Sequence, residues 1–100
     1  MEVKITEKEN VINVILSGRL DTAASQQVMT DLQPVIDQAD KTIILDCTDL
    51  SYISSSGLRI FLTVRKAAST KGGKVIVRNI SSEIRQVFMM TGFLSLFEIE

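Results

Sequence analysis

Thr42-Ile43-Ile44-Leu45-Asp46-Cys47, continued by Thr48-Asp49-Leu50-Ser51-Tyr52-Ile53 and then by Ser54-Ser55-Ser56-Gly57-Leu58, is the stretch on which the fold turns. Its first part is an almost wholly apolar run, expected of a strand covered on both faces, and so of a parallel or mixed sheet flanked by helices. This strand is placed at the centre of the sheet. Thr48 to Ser55 is expected as a loop. After it Leu58, Phe61, Leu62, Arg65 and Ala68 fall on one helical face, with Lys66 and Lys71 suited to the C-terminal half and Gly72 to the C-cap.

Toward the N-terminus, Val3 and Ile5 alternate with polar neighbours, Glu7 to Asn10 is polar, and Ile12, Val14 and Leu16 alternate against Asn13 and Ser17, which predicts a β-hairpin. Gly18 and Arg19 are expected to end its second strand. Asp21 or Thr22 then supplies an N-cap for a helix carrying Ala24, Val28, Leu32, Val35, Ile36 and Ala39, with a kink or break near Gln33 imposed by Pro34. Toward the C-terminus, Lys74 to Arg78 is a further strand. Asn79 opens a turn, Ser81 or Ser82 caps a helix with Ile84, Val87 and Phe88 inward and Gly92 as its stop, and Leu96 to Ile99 is a last short strand. Met89-Met90 is expected as gap-filling core. The order ββαβαβαβ over residues 1–100 is that of one small α/β domain, a mixed β-sheet with helices packed on it and right-handed crossovers. Working loops of parallel sheets lie at the C-terminal ends of the strands, so the loops after Leu16 and Cys47 should share one rim.

Composition removes several kinds of chemistry. The 100 residues include 45% apolar and 23% charged, ordinary for a single globular domain. The net charge of -1 is spread without a basic cluster, so nucleic acid is not an expected partner. No apolar stretch approaches the roughly 20 residues that span a bilayer, and MEVKITEKEN lacks a signal-peptide core, so the chain is expected in the cytoplasm without membrane insertion. There is no histidine and one cysteine, Cys47, which removes His-based triads, the usual zinc sets and an internal disulfide. No cofactor is expected and Cys47 reads as a buried structural thiol, with a reactive one as the alternative. A serine or cysteine nucleophile would have only a shifted lysine or carboxylate for a base, so the chain is not expected to be an enzyme. Gly72-Gly73-Lys74 follows a helix instead of preceding one and is a turn, not a phosphate loop.

The hydroxyls at Ser54, Ser55 and Ser56 exceed what one N-cap needs. A helix N-terminus carries unpaired N–H groups and roughly +0.5 of an elementary charge, so it accommodates an anionic group on a nearby side chain, and a phosphoserine adds about -1.5 to -2 charges. The plainer reading is a capping serine, two loop serines and a glycine for close packing. The exposed strip of Tyr52, Leu58, Arg59 and Thr63 is the candidate partner surface, unless Tyr52 and Leu58 are core.

The segment Leu45 to Leu58 resembles the signature of the STAS domain, the module of bacterial anti-sigma factor antagonists and of sulfate-transporter tails. Gly18-Arg19-Leu20-Asp21 is similar to the family's step after the second strand, and Thr91-Gly92-Phe93 with Leu96-Phe97 to its closing segment, so the resemblance spans the chain as one STAS domain. It implies that Ser56, the serine before the glycine, or else Ser55, is phosphorylated by a partner that is both anti-sigma factor and serine kinase. It also implies that only the unphosphorylated form captures that partner, and that a phosphatase resets the switch. Asp21 would border the phosphorylation loop, together with Thr22, Ser54, Ser55 and Gly57, and nucleotide would sit on the kinase. Many family members carry aspartate where this chain has Ser54. The alternative is a STAS accessory subunit of a lipid or anion transporter, docking an ATPase subunit without phosphorylation. The family resemblance implies a monomer when free, although an exposed edge strand could pair two copies.

Overall fold

A computed structural model describes residues 1–100. β1 (Glu2–Lys8) and β2 (Val11–Leu20) form the predicted antiparallel hairpin, with Ile5 opposite Val14. β3 (Thr42–Ile53), β4 (Lys74–Arg78) and β5 (Glu98–Ile99) follow in parallel, giving one five-stranded sheet of order β1-β2-β3-β4-β5. Between them lie α1 (Thr22–Asp31), α2 (Gln33–Asp37), α3 (Ser55–Lys71), α4 (Ser82–Thr91) and a 3-10 turn at Phe93–Ser95.

Helix boundaries follow their local chemistry. The Asp21 carboxylate accepts from Ala24 N at 2.9 Å and starts α1, and Ser81 Oγ accepts from Ile84 N at 3.1 Å to start α4. The break before Pro34 falls at Leu32, so Pro34 sits in the first turn of α2, where a missing N–H costs nothing. Gly72 and Gly92 end α3 and α4 in left-handed conformation, φ +83° and +80°.

The core lies on one side of the sheet. Ile12, Val14 and Leu16 of β2, Ile43, Leu45 and Cys47 of β3, and Val75 and Val77 of β4 join Val28, Val35, Phe61, Val64, Ile84 and Phe88 in a single cluster of 24 buried residues. Four phenylalanines close it, with Phe61 and Phe88 edge to face at 6.0 Å and Phe93 and Phe97 tilted at 33° with their centres 5.8 Å apart. The central strand is covered on both faces, as its apolar run predicts: Ile43 and Leu45 on one face and Ile44 on the other are all buried. Ile44 and Ile76 alternate away from this cluster and are shielded to 8% and 7% exposure without belonging to it. Long polar side chains on neighbouring strands can cover such an apolar stripe with their aliphatic stems.

Five expectations change. β2 runs through Gly18 and Arg19 to Leu20 instead of ending there. The region expected as a loop from Thr48 is strand as far as Ile53. On α3 the inward residues are Gly57, Leu58, Ile60, Phe61, Val64 and Ala68, while Leu62 and Arg65 face outward. Met89 and Met90 are 62% and 78% exposed, because α4 turns Ile84 and Phe88 inward and those two fall beyond that stripe. The last strand is also shorter than expected, since Phe93–Ser95 turns as a 3-10 helix before it.

Gly73 sits where α3 returns to the sheet. A methyl group there would lie 1.9 Å from Ala39 O and 2.5 Å from Lys41 O, both backbone atoms that cannot step aside. Gly73→Ala is therefore expected to destabilise the domain by about 3 kcal/mol, read as a lowered denaturation midpoint with unchanged slope.

Candidate functional site

The rim where β2 and β3 end is built by two register shifts. From Ile15↔Asp46 to Ser17↔Asp49, and again from Gly18↔Leu50 to Arg19↔Tyr52, β3 advances one residue more than β2. Gly18 absorbs part of the distortion with φ +105°, and its carbonyl accepts from Ser51 Oγ at 3.0 Å. The two strands thus run past Arg78, the last residue of β4, which pairs with Asp46. They stop together at Leu20 and Ile53.

At that point both chains turn into helices side by side. Ser54 N donates to Leu20 O at 2.9 Å, tying the start of α3 to the end of β2 one residue before Asp21 caps α1. Ser54 Oγ accepts from Gly57 N at 3.2 Å, so Ser54 is the N-cap of α3 and is buried. Gly57 lies directly on Leu20 and Ile53; a methyl group on it would stand 2.7 Å from Leu20 Cγ and 2.9 Å from Ile53 Cγ1. Its glycine character answers to this close approach, since its φ is not positive.

The first turn of α3 therefore carries Ser55, exposed, and Ser56, half-buried, beside an N-cap that is already occupied. Of the three hydroxyls only that of Ser54 is held in a hydrogen bond, which leaves Ser55 and Ser56 chemically free. Thr22, the first residue of α1, is exposed on the same rim. The predicted cluster of Asp21, Thr22, Ser54, Ser55, Ser56 and Gly57 is thus brought together by the Leu20–Ser54 junction.

The predicted partner strip divides. Leu58 is 7% exposed and belongs to the core, which removes it from the surface; it occupies the inward side of the first helical turn. Tyr52 is 40% exposed, Arg59 is exposed, and Thr63 is half-buried with its hydroxyl donating to Arg59 O at 2.9 Å. Sequence reasoning missed Arg19 as a member of this surface. Its guanidinium lies 4.3 Å from the centre of the Tyr52 ring, a cation–π pair across the shifted register. No spacing rule finds that pair unless Thr48–Ile53 is known to be strand.

Asp46 and Cys47 mark the inner border. Partial burial pulls the Asp46 carboxyl upward, but the Thr48 hydroxyl and N–H, the Asn79 amide and the Arg78 charge outweigh it, leaving the group below its ordinary value. Cys47 is fully buried, and burial, with a smaller contribution from Asp46, pushes its thiol up to about 12. A thiol so placed is inert and structural.

The STAS domain family matches residues 2–100, and the chain belongs to that family. Its relatives there include proteins named as anti-sigma factor antagonists. The anti-sigma-B factor antagonist of Bacillus subtilis is 30% identical, covering 99% of this chain and 90% of its own. The anti-sigma F factor antagonist of Paenibacillus polymyxa is 26% identical, covering 99% and 86%. The Bacillus cell fate determinant SpoIIAA in its phosphorylated form superposes with a TM-score of 0.75 at 25% identity, over 99% of this chain and 91% of that one. The mixed sheet and its element order are those of the STAS fold.

Two outcomes follow. Gly57→Ala is expected to cost about 1–3 kcal/mol, because Leu20 and Ile53 must move or α3 must lift off the rim; a denaturant midpoint equal to that of wild type would contradict the close-approach argument. The Cys47 thiol contributes to the pH dependence of stability with a definite sign. Its folded value of about 12 exceeds the ordinary 9.0, so the unfolded chain loses its proton first as pH rises. Stability is complete below about pH 9 and declines above it by up to about 1.4 kcal/mol per pH unit. Cys47→Ala should flatten that decline in denaturation curves taken between pH 8 and 11.

Proposed function

We propose that this chain is an anti-sigma factor antagonist whose unphosphorylated rim binds an anti-sigma factor that is also a serine kinase, and that phosphorylation of Ser56 releases it. The observation that carries this reading is the free Ser56 hydroxyl in the first turn of a capped helix, on a rim shared with an exposed arginine and an arginine–tyrosine stack. The relatives named above as antagonists, and a structural neighbour solved in phosphorylated form, support it.

In the transfer the Ser56 oxygen attacks the γ-phosphorus of ATP on the partner, ADP leaves with the bridging oxygen, and the hydroxyl proton is lost to a base on the partner. The product carries about -1.5 to -2 added charges on a surface that must be desolvated for docking. Release then needs no refolding: Leu58, Phe61 and Val64 stay buried beneath the rim while the charge acts on whatever covers Tyr52 and Arg59. Ser56 is preferred over Ser55 by family resemblance; Ser55 is the more exposed of the two. A phosphatase resets the switch, the free chain is a monomer, and its place is the cytoplasm, in keeping with the lack of any helix long and apolar enough to cross a membrane. The chain acts by binding and is not itself an enzyme, regulating sigma-factor-dependent transcription through its partner.

Intact-protein mass spectrometry after incubation with ATP and the kinase encoded nearest the gene tests this. Wild type should gain one phosphate and Ser56→Ala none, while Ser56→Glu should bind the same partner at least about tenfold more weakly than wild type. A kinase shown to be active that leaves both proteins unmodified would overturn the switch and favour a STAS accessory subunit that docks an ATPase subunit of a transporter without phosphorylation.

A further inference from the structure

Arg59 lacks the partners that occupy the other rim and sheet arginines. Arg19 lies on the Tyr52 ring, Arg65 Nε donates to Leu96 O at 2.6 Å, and Arg78 pairs with Glu100 at 2.7 Å. Arg59 enters none of the ion pairs, which join Lys41 to Glu7, Lys74 to Glu98 and Arg78 to Glu100. Its own helix explains why. The positions within reach on α3, three and four residues either side, are Ser55, Ser56, Leu62 and Thr63, none of them acidic. Helical side chains lean toward the N-terminus, so Arg59 overlies the turn that carries Ser55 and Ser56. The helix thus offers this cation no counter-charge until one of those serines acquires it.

We infer that Arg59 is the intramolecular counter-cation of a phosphoryl group on Ser56, closing on the phosphate oxygens across one turn of α3. The inference rests on the reading of Ser56 as the modified residue. An arginine fork matches two phosphate oxygens at once, which a lysine does not. Phosphorylation then changes the rim twice: it adds negative charge, and it withdraws the exposed guanidinium that a partner would otherwise meet. The other charged groups at this end of the sheet are Asp21, whose carboxylate is committed to Ala24 N–H, Arg19, held on Tyr52, Asp49 and Glu2, both opposite Ser17, and the Met1 amino group beside Gly18. All are common to every variant below and cancel in the comparison.

The test needs no kinase. Full-length chain carrying phosphoserine at position 56, installed during translation, is titrated by phosphorus NMR as wild type, Arg59→Gln, Arg59→Lys and Arg85→Gln. The second phosphate ionisation should lie about 0.15 to 0.4 of a unit lower in wild type than in Arg59→Gln. Arg59→Lys should fall between them, and Arg85→Gln, which removes the same charge from α4, should titrate with wild type. Coincident curves for wild type and Arg59→Gln would overturn the clamp even if a kinase modifies Ser56. A clear difference here alongside no modification by an active kinase would retain the clamp and remove the switch proposed above.

Discussion

The meeting of Gly57 with Leu20 and Ile53 is the contact on which the rim depends. Leu20 is fully buried, and its carbonyl takes the Ser54 N–H, so the first turn of α3 is held against the end of β2 by a hydrogen bond on one side and by van der Waals contact on the other. Only a residue without a side chain fits between them. Once Gly57 is seated, Ser54 must face its N–H and cap the helix, Leu58 must turn into the core, and Ser55, Ser56 and Arg59 must remain outside. α1 starts from the same junction through Asp21, so two helix N-termini and their partial positive charges share one edge. Glycine follows the free serine here for reasons of packing, not flexibility.

This arrangement would separate stability from the proposed switching. The 24-residue cluster, with its phenylalanines and the Cys47 thiol, lies below the rim. The groups proposed to change state are exposed or half-buried and bear none of that burial. A charge added at Ser56 meets favourable helix N–H groups and water within the molecule, while a docked surface would have to strip that water away. The large energetic consequence of the proposed phosphorylation would therefore fall on the complex and not on the fold. An exposed surface pair contributes little to stability by itself, which suits a reversible device.

Much of this was legible in the residues. Period-two alternation found the hairpin, the apolar run found the centre of the sheet, and Asp21, Pro34, Gly72 and Gly92 announced where helices begin, break and stop. The second half of β3 was not legible, and the reason is physical. With an extra residue inserted twice opposite β2, its buried positions fall at Cys47, Leu50 and Ile53, three apart, which no longer looks like a strand. The Arg19–Tyr52 stack was hidden by the same shift, because it depends on a pairing that alternation cannot predict. Leu58 was ambiguous because both faces of a first helical turn are short, and only packing beside Gly57 decides which one is inward. The serine cluster was readable because its signal is chemical and local.

The presence of Ser54 where many family members carry aspartate can be understood from two roles that one residue usually combines. Capping requires only an oxygen that accepts from Gly57 N–H, and serine supplies it about as well as aspartate does. The carboxylate's charge is a separate matter: beside an occupied Ser56 it would repel the phosphate and compete for any nearby cation. This chain keeps the cap and drops the charge. What remains over the first two turns of α3 is a neutral cap, two free hydroxyls and one unpaired arginine at the spacing where side chains meet. A phosphate placed there encounters attraction from its own helix without an opposing carboxylate at the cap, so the substitution at Ser54 and the freedom of Arg59 act in the same direction.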